Sequence, residues 1–299
     1  MNKKLVLTGA GGFVAGSILA QAGPEWELHA LSRGGPLLHR TGLFWHRIEP
    51  GDGTAPAALI RDLRPAAVLH TAAIADIDYC QAHQDEAERI NVTYTLRLAE
   101  ACAAVDARMV HCSTDTVFDG DRGRYTEEDP VNPVNFYGET KVLAETAVHG
   151  TLENAVVARV ALVMGLPVLG AGNSFLAKMI ASFREGREVG VPPNEIRSPV
   201  DVATLGRALL ELAADRFRGT LHLSGNDRMN RVDMVRRIAR HLGHPESLVV
   251  PKDPGNIPGR APRPRDVSLE NSLARRTLKT PMVDLERAVD LVLTLAKEA

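Results

Sequence analysis

Tyr137 and Lys141 stand four residues apart, downstream of Ser113-Thr114-Asp115, in a chain whose first strand runs into Thr8-Gly9-Ala10-Gly11-Gly12-Phe13-Val14-Ala15-Gly16. A tyrosine hydroxyl titrates near pH ~10 and is a poor acid–base catalyst at neutral pH. A lysine one helical turn away lies on the same helix face, where its ammonium would hold the phenolate state lower. A Thr114 hydroxyl at the end of a neighbouring strand would share a substrate oxygen with that phenol. Beside a dinucleotide, such a trio implies hydride transfer to or from a carbonyl. Tyr-x-x-x-Lys alone arises by chance. Here only one of the four tyrosines has lysine at the fourth following position, and it falls where a helix should begin.

The glycines point to the dinucleotide. Gly9, Gly12 and Ala15 form a G-x-x-G-x-x-A turn between a strand and a helix. Glycine lets the backbone turn sharply and leaves room for a pyrophosphate at the helix N-terminus, near Phe13 and Val14. Free N–H groups and the helix dipole favour negative charge there. At the end of the second strand stands Ser32-Arg33 rather than a ribose-binding acid, and a guanidinium pairs with a 2′-phosphate through two hydrogen bonds. NADP(H) is therefore favoured, with NAD(H) still compatible. Asp52, after the third strand, is placed near the adenine, or else is a solvated carboxylate. The small Thr71-Ala72-Ala73 run lets the cofactor lie across the strand ends.

The bulk numbers set the frame. A chain of 299 residues with 44% hydrophobic and 24% charged content buries a substantial core. A formal charge of −2 argues against nucleic acid or an anionic membrane as partner. The apolar run Leu5–Leu7 is too short for a signal-peptide core, which makes a cytoplasmic protein the expectation. Three cysteines, Cys80, Cys102 and Cys112, without C-x-x-C spacing read as buried reduced thiols. Scattered histidines give no zinc spacing, so no metal site is expected.

The elements that must position the trio alternate. Strands are expected near Lys4–Thr8, Glu27–Leu31, Phe44–Ile48, Ala67–Thr71 and Arg108–Ser113, and one long strand over Ala155–Val163. Helices are expected near Gly12–Gln21, Ala55–Asp62 and Asp85–Val105, and from Asn135 to His149 with Gly150 as stop signal. Such alternation means βαβ units, hence an α/β fold: a Rossmann-like, doubly wound parallel sheet. Beyond Met164 the rhythm loosens. Helices are expected over Ser174–Glu185, Pro199–Ala214, Asn230–Leu242 and Asp284–Glu298, with a short strand at Thr220–Leu223 and a proline-rich loop over Pro251–Pro264. The expected organisation is a dinucleotide-binding domain over 1–163 and a smaller C-terminal substrate-binding lobe over 164–299, with segments near 193–223 returning to the first. The C-terminal helix either serves a homodimer or caps the lobe.

These stretches resemble the extended short-chain dehydrogenases/reductases, and within them the dTDP-4-dehydrorhamnose reductase family. The likeness lies in TGAGGFVAG, HTAAIADID, Arg89-Ile90-Asn91-Val92, VHCSTDTVFDG, NPVNFYGETKVLAE and RPRDVSL at 263–269, and so runs through most of the chain. The resemblance implies that Thr114, Tyr137 and Lys141 work together as hydroxyl, acid, and tuning and ribose-binding residue. It implies reduction of the 4-keto group of a nucleotide-linked 6-deoxy sugar, held by Thr114, Asp115, Val117, Phe118, Asn173 and Arg263. Arg265 and Arg260 share the last loop; without interleaved aromatics these arginines suit a diphosphate better than RNA. The family often has tyrosine where this chain has Thr116, and Ala15 replaces a frequent glycine. The similar 4,6-dehydratases carry Thr-Asp-Glu where this chain has Thr114-Asp115-Thr116, which removes the acid–base partner that dehydration needs. Two other readings stay open. One is a sugar-nucleotide epimerase that keeps NAD bound. The other, ranked last, is a non-catalytic subunit paired with a synthetase, since the regulatory subunit of methionine adenosyltransferase resembles the same family.

Overall fold

The computed structural model describes residues 2–49, 51, 53–169, 174–253 and 259–298. Its first half alternates β1 (Lys3–Thr8), α1 (Phe13–Gln21), β2 (Trp26–Ser32), β3 (Leu43–Arg47), α2 (Thr54–Leu63) and β4 (Ala67–His70). Then come α3 (Ile77–Ala82), α4 (Gln84–Glu88), α5 (Tyr94–Val105), β5 (Arg108–Thr114), α6 (Phe136–Thr151) and β6 (Ala155–Val160). The second half adds α7 (Phe175–Arg184), α8 (Val202–Ala214), β7 (Gly219–Leu223), α9 (Arg231–His241), α10 (Ser272–Thr277) and α11 (Leu285–Glu298). Three two-to-three-residue ladders among the described residues fill in around them. No helix among the described residues is long and apolar enough to cross a membrane.

All seven named strands form one parallel sheet in the order β7-β6-β5-β4-β1-β2-β3. Such strands read as unbroken apolar runs because both faces are covered. Along β1 the alternation is visible: Leu5 and Leu7 pack with Ile18 and Leu19 of α1 and Leu205, Leu209 and Leu212 of α8. Val6 faces the other way, with Ile60 of α2 and Leu98 of α5. A separate cluster joins Leu176, Ile180 and Phe183 of α7 to Val232, Val235 and Ile238 of α9 and Leu285, Val289 and Val292 of α11. The strand order reverses between β1 and β4, and ligands of such sheets bind at the carboxyl ends of the strands at that switch point.

Three sequence expectations need correction. The single helix over Asp85–Val105 is instead α4, a π-turn at Arg89–Thr93, and α5. The wide turn faces Asn91 inward. Its Oδ1 accepts from Ile74 N (2.8 Å), and its Nδ2 donates to Ile74 O (3.0 Å) and Thr140 Oγ1 (3.0 Å), tying the loop after β4 to α6. Gly150 does not stop α6. The helix runs to Thr151 and leaves through Leu152 in an extended conformation (φ −133°), which requires no left-handed residue. The long strand over Ala155–Val163 ends at Val160, and Val163–Met164 pairs with Val200–Asp201 instead. In consequence α8 starts only at Val202, where the Asp201 Oδ1 caps Thr204 N at 2.7 Å.

Candidate active site

β5 ends at Thr114, a short 3₁₀ turn follows at Asp115–Val117, and the chain returns to start α6 at Phe136. Asn135 caps that helix through Oδ1 to Gly138 N (2.9 Å). A Cβ on Gly138 would lie 2.5 Å from Thr116 O and 2.7 Å from Pro133 Cβ. Only glycine lets the first turn of α6 press this closely on the end of β5. That close approach sets the half-buried Tyr137 beside Thr114, whose hydroxyl acts on the phenol's titration. Thr114 Oγ1 also lies 3.0 Å from Thr116 Oγ1.

Lys141 follows one turn later, buried beneath the tyrosine. Its Nζ donates to Cys112 O (2.7 Å) and lies 3.1 Å from His111 Nε2. Burial pulls its pKa down to about 8. The expected lowering of the Tyr137 phenol is not present in the protein alone. Burial pushes it above its ordinary range, the Thr114 hydrogen bond opposes this, and the Asp115 charge adds to it. Asp115 itself is buried and pushed up to about 6, again by burial, against the pull of Arg197. Its Oδ2 has no hydrogen-bond partner among the described residues.

The glycine turn lies at the β1 end of the switch point. Gly9 has φ +69°, and a Cβ there would meet Ala72 Cα and N at 2.8 Å. Ala72 and Thr71 thus sit directly against the turn, with Thr71 Oγ1 donating to Thr8 O (2.7 Å) and Ala73 next in line. Gly12 caps α1 without any side-chain hydrogen bond, leaving the N–H groups of the first turn, at Phe13 and Val14, to a ligand. Ser32, at the end of β2, exchanges hydrogen bonds with Gly34, and Arg33 is exposed beside it. A cradle that a Cβ would fill, an uncapped helix start and an exposed arginine fit a phosphorylated dinucleotide. Asp52 and Asn173 lie outside the described residues.

The last loop docks on the same region. Arg263 donates from Nη1 and Nη2 to Asp78 Oδ1 and Oδ2 at 3.0 and 2.9 Å, and Asn135 Nδ2 donates to Pro262 O at 3.1 Å. Those two anchors hold Arg263 at the N-terminal end of α6. The Arg263 hydrogen bond in turn holds the Asp78 carboxyl below the usual carboxylate range. Arg260 pairs with Glu195 at 3.7 Å, and Arg265 is exposed.

Two residues expected at the substrate have buried side chains. Val117 and Phe118 are fully buried in the core, where Phe118 stacks on Tyr125 at 4.1 Å between centroids. Both side chains join the cluster that packs beneath the end of β5. Sequence reasoning also missed Gly138, Asn91, His111 and the buried Glu145–Arg159 pair. An Asn three residues before Gly138 signalled the cap; nothing local signalled the others.

The family model described as RmlD substrate binding domain matches residues 3–297. The dTDP-4-dehydrorhamnose reductase of Mycobacterium tuberculosis (strain ATCC 25618 / H37Rv) is 34% identical over 269 residues, spanning 88% of this chain and 83% of its own length. Methionine adenosyltransferase 2 subunit beta of Bos taurus is 31% identical over 277 residues, spanning 91% and 81%. Among solved structures, the dTDP-4-dehydrorhamnose reductase of Bacillus anthracis in complex with NADP superposes with a TM-score of 0.86 at 24% identity, covering 98% of this chain and 99% of that one. That superposition establishes the shared fold.

Proposed function

The chain belongs to the RmlD substrate-binding-domain family, and from that membership we propose that it reduces the 4-keto group of a nucleotide-linked 6-deoxy sugar. It is an NAD(P)-dependent oxidoreductase, with NADP(H) the favoured cofactor. The observation that supports the specific reading best is Tyr137, set beside the Thr114 hydroxyl at a strand end, with Lys141 buried one turn below it.

When bound, a reduced nicotinamide supplies the hydride that converts the C4 carbonyl into an alkoxide. Thr114 Oγ1 donates to the carbonyl oxygen as its charge develops. Tyr137 gives up its proton to that oxygen. A phenol held above its ordinary range carries its proton at neutral pH, as an acid must. Lys141, with a pKa of about 8, holds a proton that it can release near neutral pH and so can restore the phenol. Gly9, the first turn of α1 and Arg33 would hold the dinucleotide, and Arg263 would exchange Asp78 for the substrate diphosphate.

The decisive assay is NADPH consumption with a panel of nucleotide-linked 4-keto sugars, with thermal shifts in parallel. Consumption of at least one sugar is expected. Co-purified, tightly held NAD would point to an epimerase. The 31% likeness to a methionine adenosyltransferase subunit supports a second reading, a regulatory subunit. A stable complex with a synthetase, together with no NADPH oxidation on any sugar, would decide for it. Replacing Arg33 by alanine should weaken NADPH binding by about tenfold and leave NADH binding unchanged. Fluorescence titration checks this, and equal loss for both cofactors would remove the 2′-phosphate role.

A further inference from the structure

We propose that His111 is a positioning residue for Lys141, its neutral imidazole accepting a hydrogen bond from the ammonium and fixing where that ammonium points. Both side chains are buried, at 0% and 1% exposure, and Nζ lies 3.1 Å from Nε2. An ammonium has three N–H donors. One goes to Cys112 O and one to His111, which leaves a single donor for a ribose hydroxyl.

For Nε2 to accept, the imidazole proton must sit on Nδ1. That Nδ1 is buried and has no partner among the described residues. Leaving a buried donor unsatisfied is costly, and such a group in a folded protein calls for an explanation. The gain is on the other nitrogen, facing the lysine. The ring is held instead by stacking on His70 of β4, at 5.2 Å between centroids and 30° between planes. His70 is itself fastened at both nitrogens, to Thr8 Oγ1 (2.7 Å) and Thr95 Oγ1 (2.9 Å). Thr8 closes β1 just before the glycine turn. The imidazole pair therefore bridges the dinucleotide cradle and the lysine.

The surroundings keep His111 an acceptor. His70 on β4 and Lys141 and His149 on α6 face it, and burial first, then these neighbours, hold its pKa well below the ordinary histidine value. Lys141 in turn is faced by Cys112 on β5, Cys80 on α3 and Glu145 on α6. His111 thus stays neutral across the working range and does not act as a pH switch. Removing it withdraws an acceptor that stabilises the charged lysine. The Lys141 pKa must then fall further, and the alkaline limb of activity must move to lower pH.

The kinetic part of this inference rests on the reductase reading; the titration of Lys141 does not. The test is a ¹³C-lysine NMR titration of the full chain, with Lys141→Met to assign the resonance, beside pH profiles of kcat/KM. For His111→Leu, the Lys141 midpoint and the alkaline limb should both fall by about one pH unit, with kcat/KM at pH ~8 lower by roughly fivefold. His111→Gln, whose Oε1 reaches where Nε2 was, should restore both. An unmoved midpoint in a folded His111→Leu protein overturns the proposal. Should that variant not fold, His111→Asn withdraws the acceptor with a smaller change in polarity, and the same unmoved midpoint overturns it. If no sugar is reduced by the unaltered chain, the reductase reading fails while the NMR midpoint still decides the role of His111.

Discussion

Replacing Tyr137 with phenylalanine should lower kcat by roughly 10²–10⁴-fold, the span ordinarily lost with a general acid. Cofactor affinity should stay within about twofold, since the residues that form the dinucleotide cradle lie on β1, α1 and the β2 end. The fold should also persist. Phenylalanine keeps the ring volume, and Thr114 Oγ1 retains the contact to Thr116 Oγ1 at 3.0 Å and accepts from Thr116 N at 3.2 Å. Steady-state kinetics on the preferred sugar, with an NADPH titration on the same preparation, separates the two effects. Turnover retained within tenfold would remove Tyr137 from the chemistry, whatever the cofactor affinity.

Glu145→Leu should be the most damaging change to stability. Glu145 lies one turn beyond Lys141 on α6, buried, and accepts from Arg159 of β6 at Nε (3.1 Å) and Nη2 (2.8 Å) and from Ser113 Oγ of β5. Arg159 is buried too, over the Phe118 ring at 5.2 Å. Leucine would leave a guanidinium in the core without its counter-charge. Breaking a buried pair from one side costs about 3–5 kcal/mol, because the stranded charge keeps its desolvation penalty. For a chain of this size that corresponds to a fall in Tm on the order of 10 °C. The double variant Glu145→Leu with Arg159→Met removes both charges and should recover most of the loss. Chemical and thermal unfolding of the four proteins of that cycle checks it. If the double variant were as unstable as the single one, packing around α6 rather than charge would be the cause.

Tyr137 and Lys141 show why local spacing cannot predict the electrostatics of the site. The spacing of Tyr137 and Lys141 suggests an ammonium lowering a phenol. In the fold the lysine gives its donors to Cys112 O and His111, and burial raises the phenol instead. What reaches a side chain depends on segments about thirty residues away, brought together by strand order.

The sequence by itself determined the parts that are local. The glycine turn needs residues without Cβ at Gly9 and Gly12, the parallel strands need unbroken apolar runs, and an i, i+4 pair on a helix must share a face. Each of these follows from backbone geometry over fewer than ten residues. Only the tertiary structure decided the partners. The His111–Lys141 contact, the Glu145–Arg159 pair, the Asn91 bridge at the π-turn and the Arg263–Asp78 clasp all join distant stretches of chain. Burial of Val117 and Phe118 followed the same logic, since which face of a strand end meets solvent is set by the helices packed above it. Hydrogen-bond and charge partners are chosen by what the packed sheet and helices place within about 3 Å, and no pattern within a single segment encodes that choice.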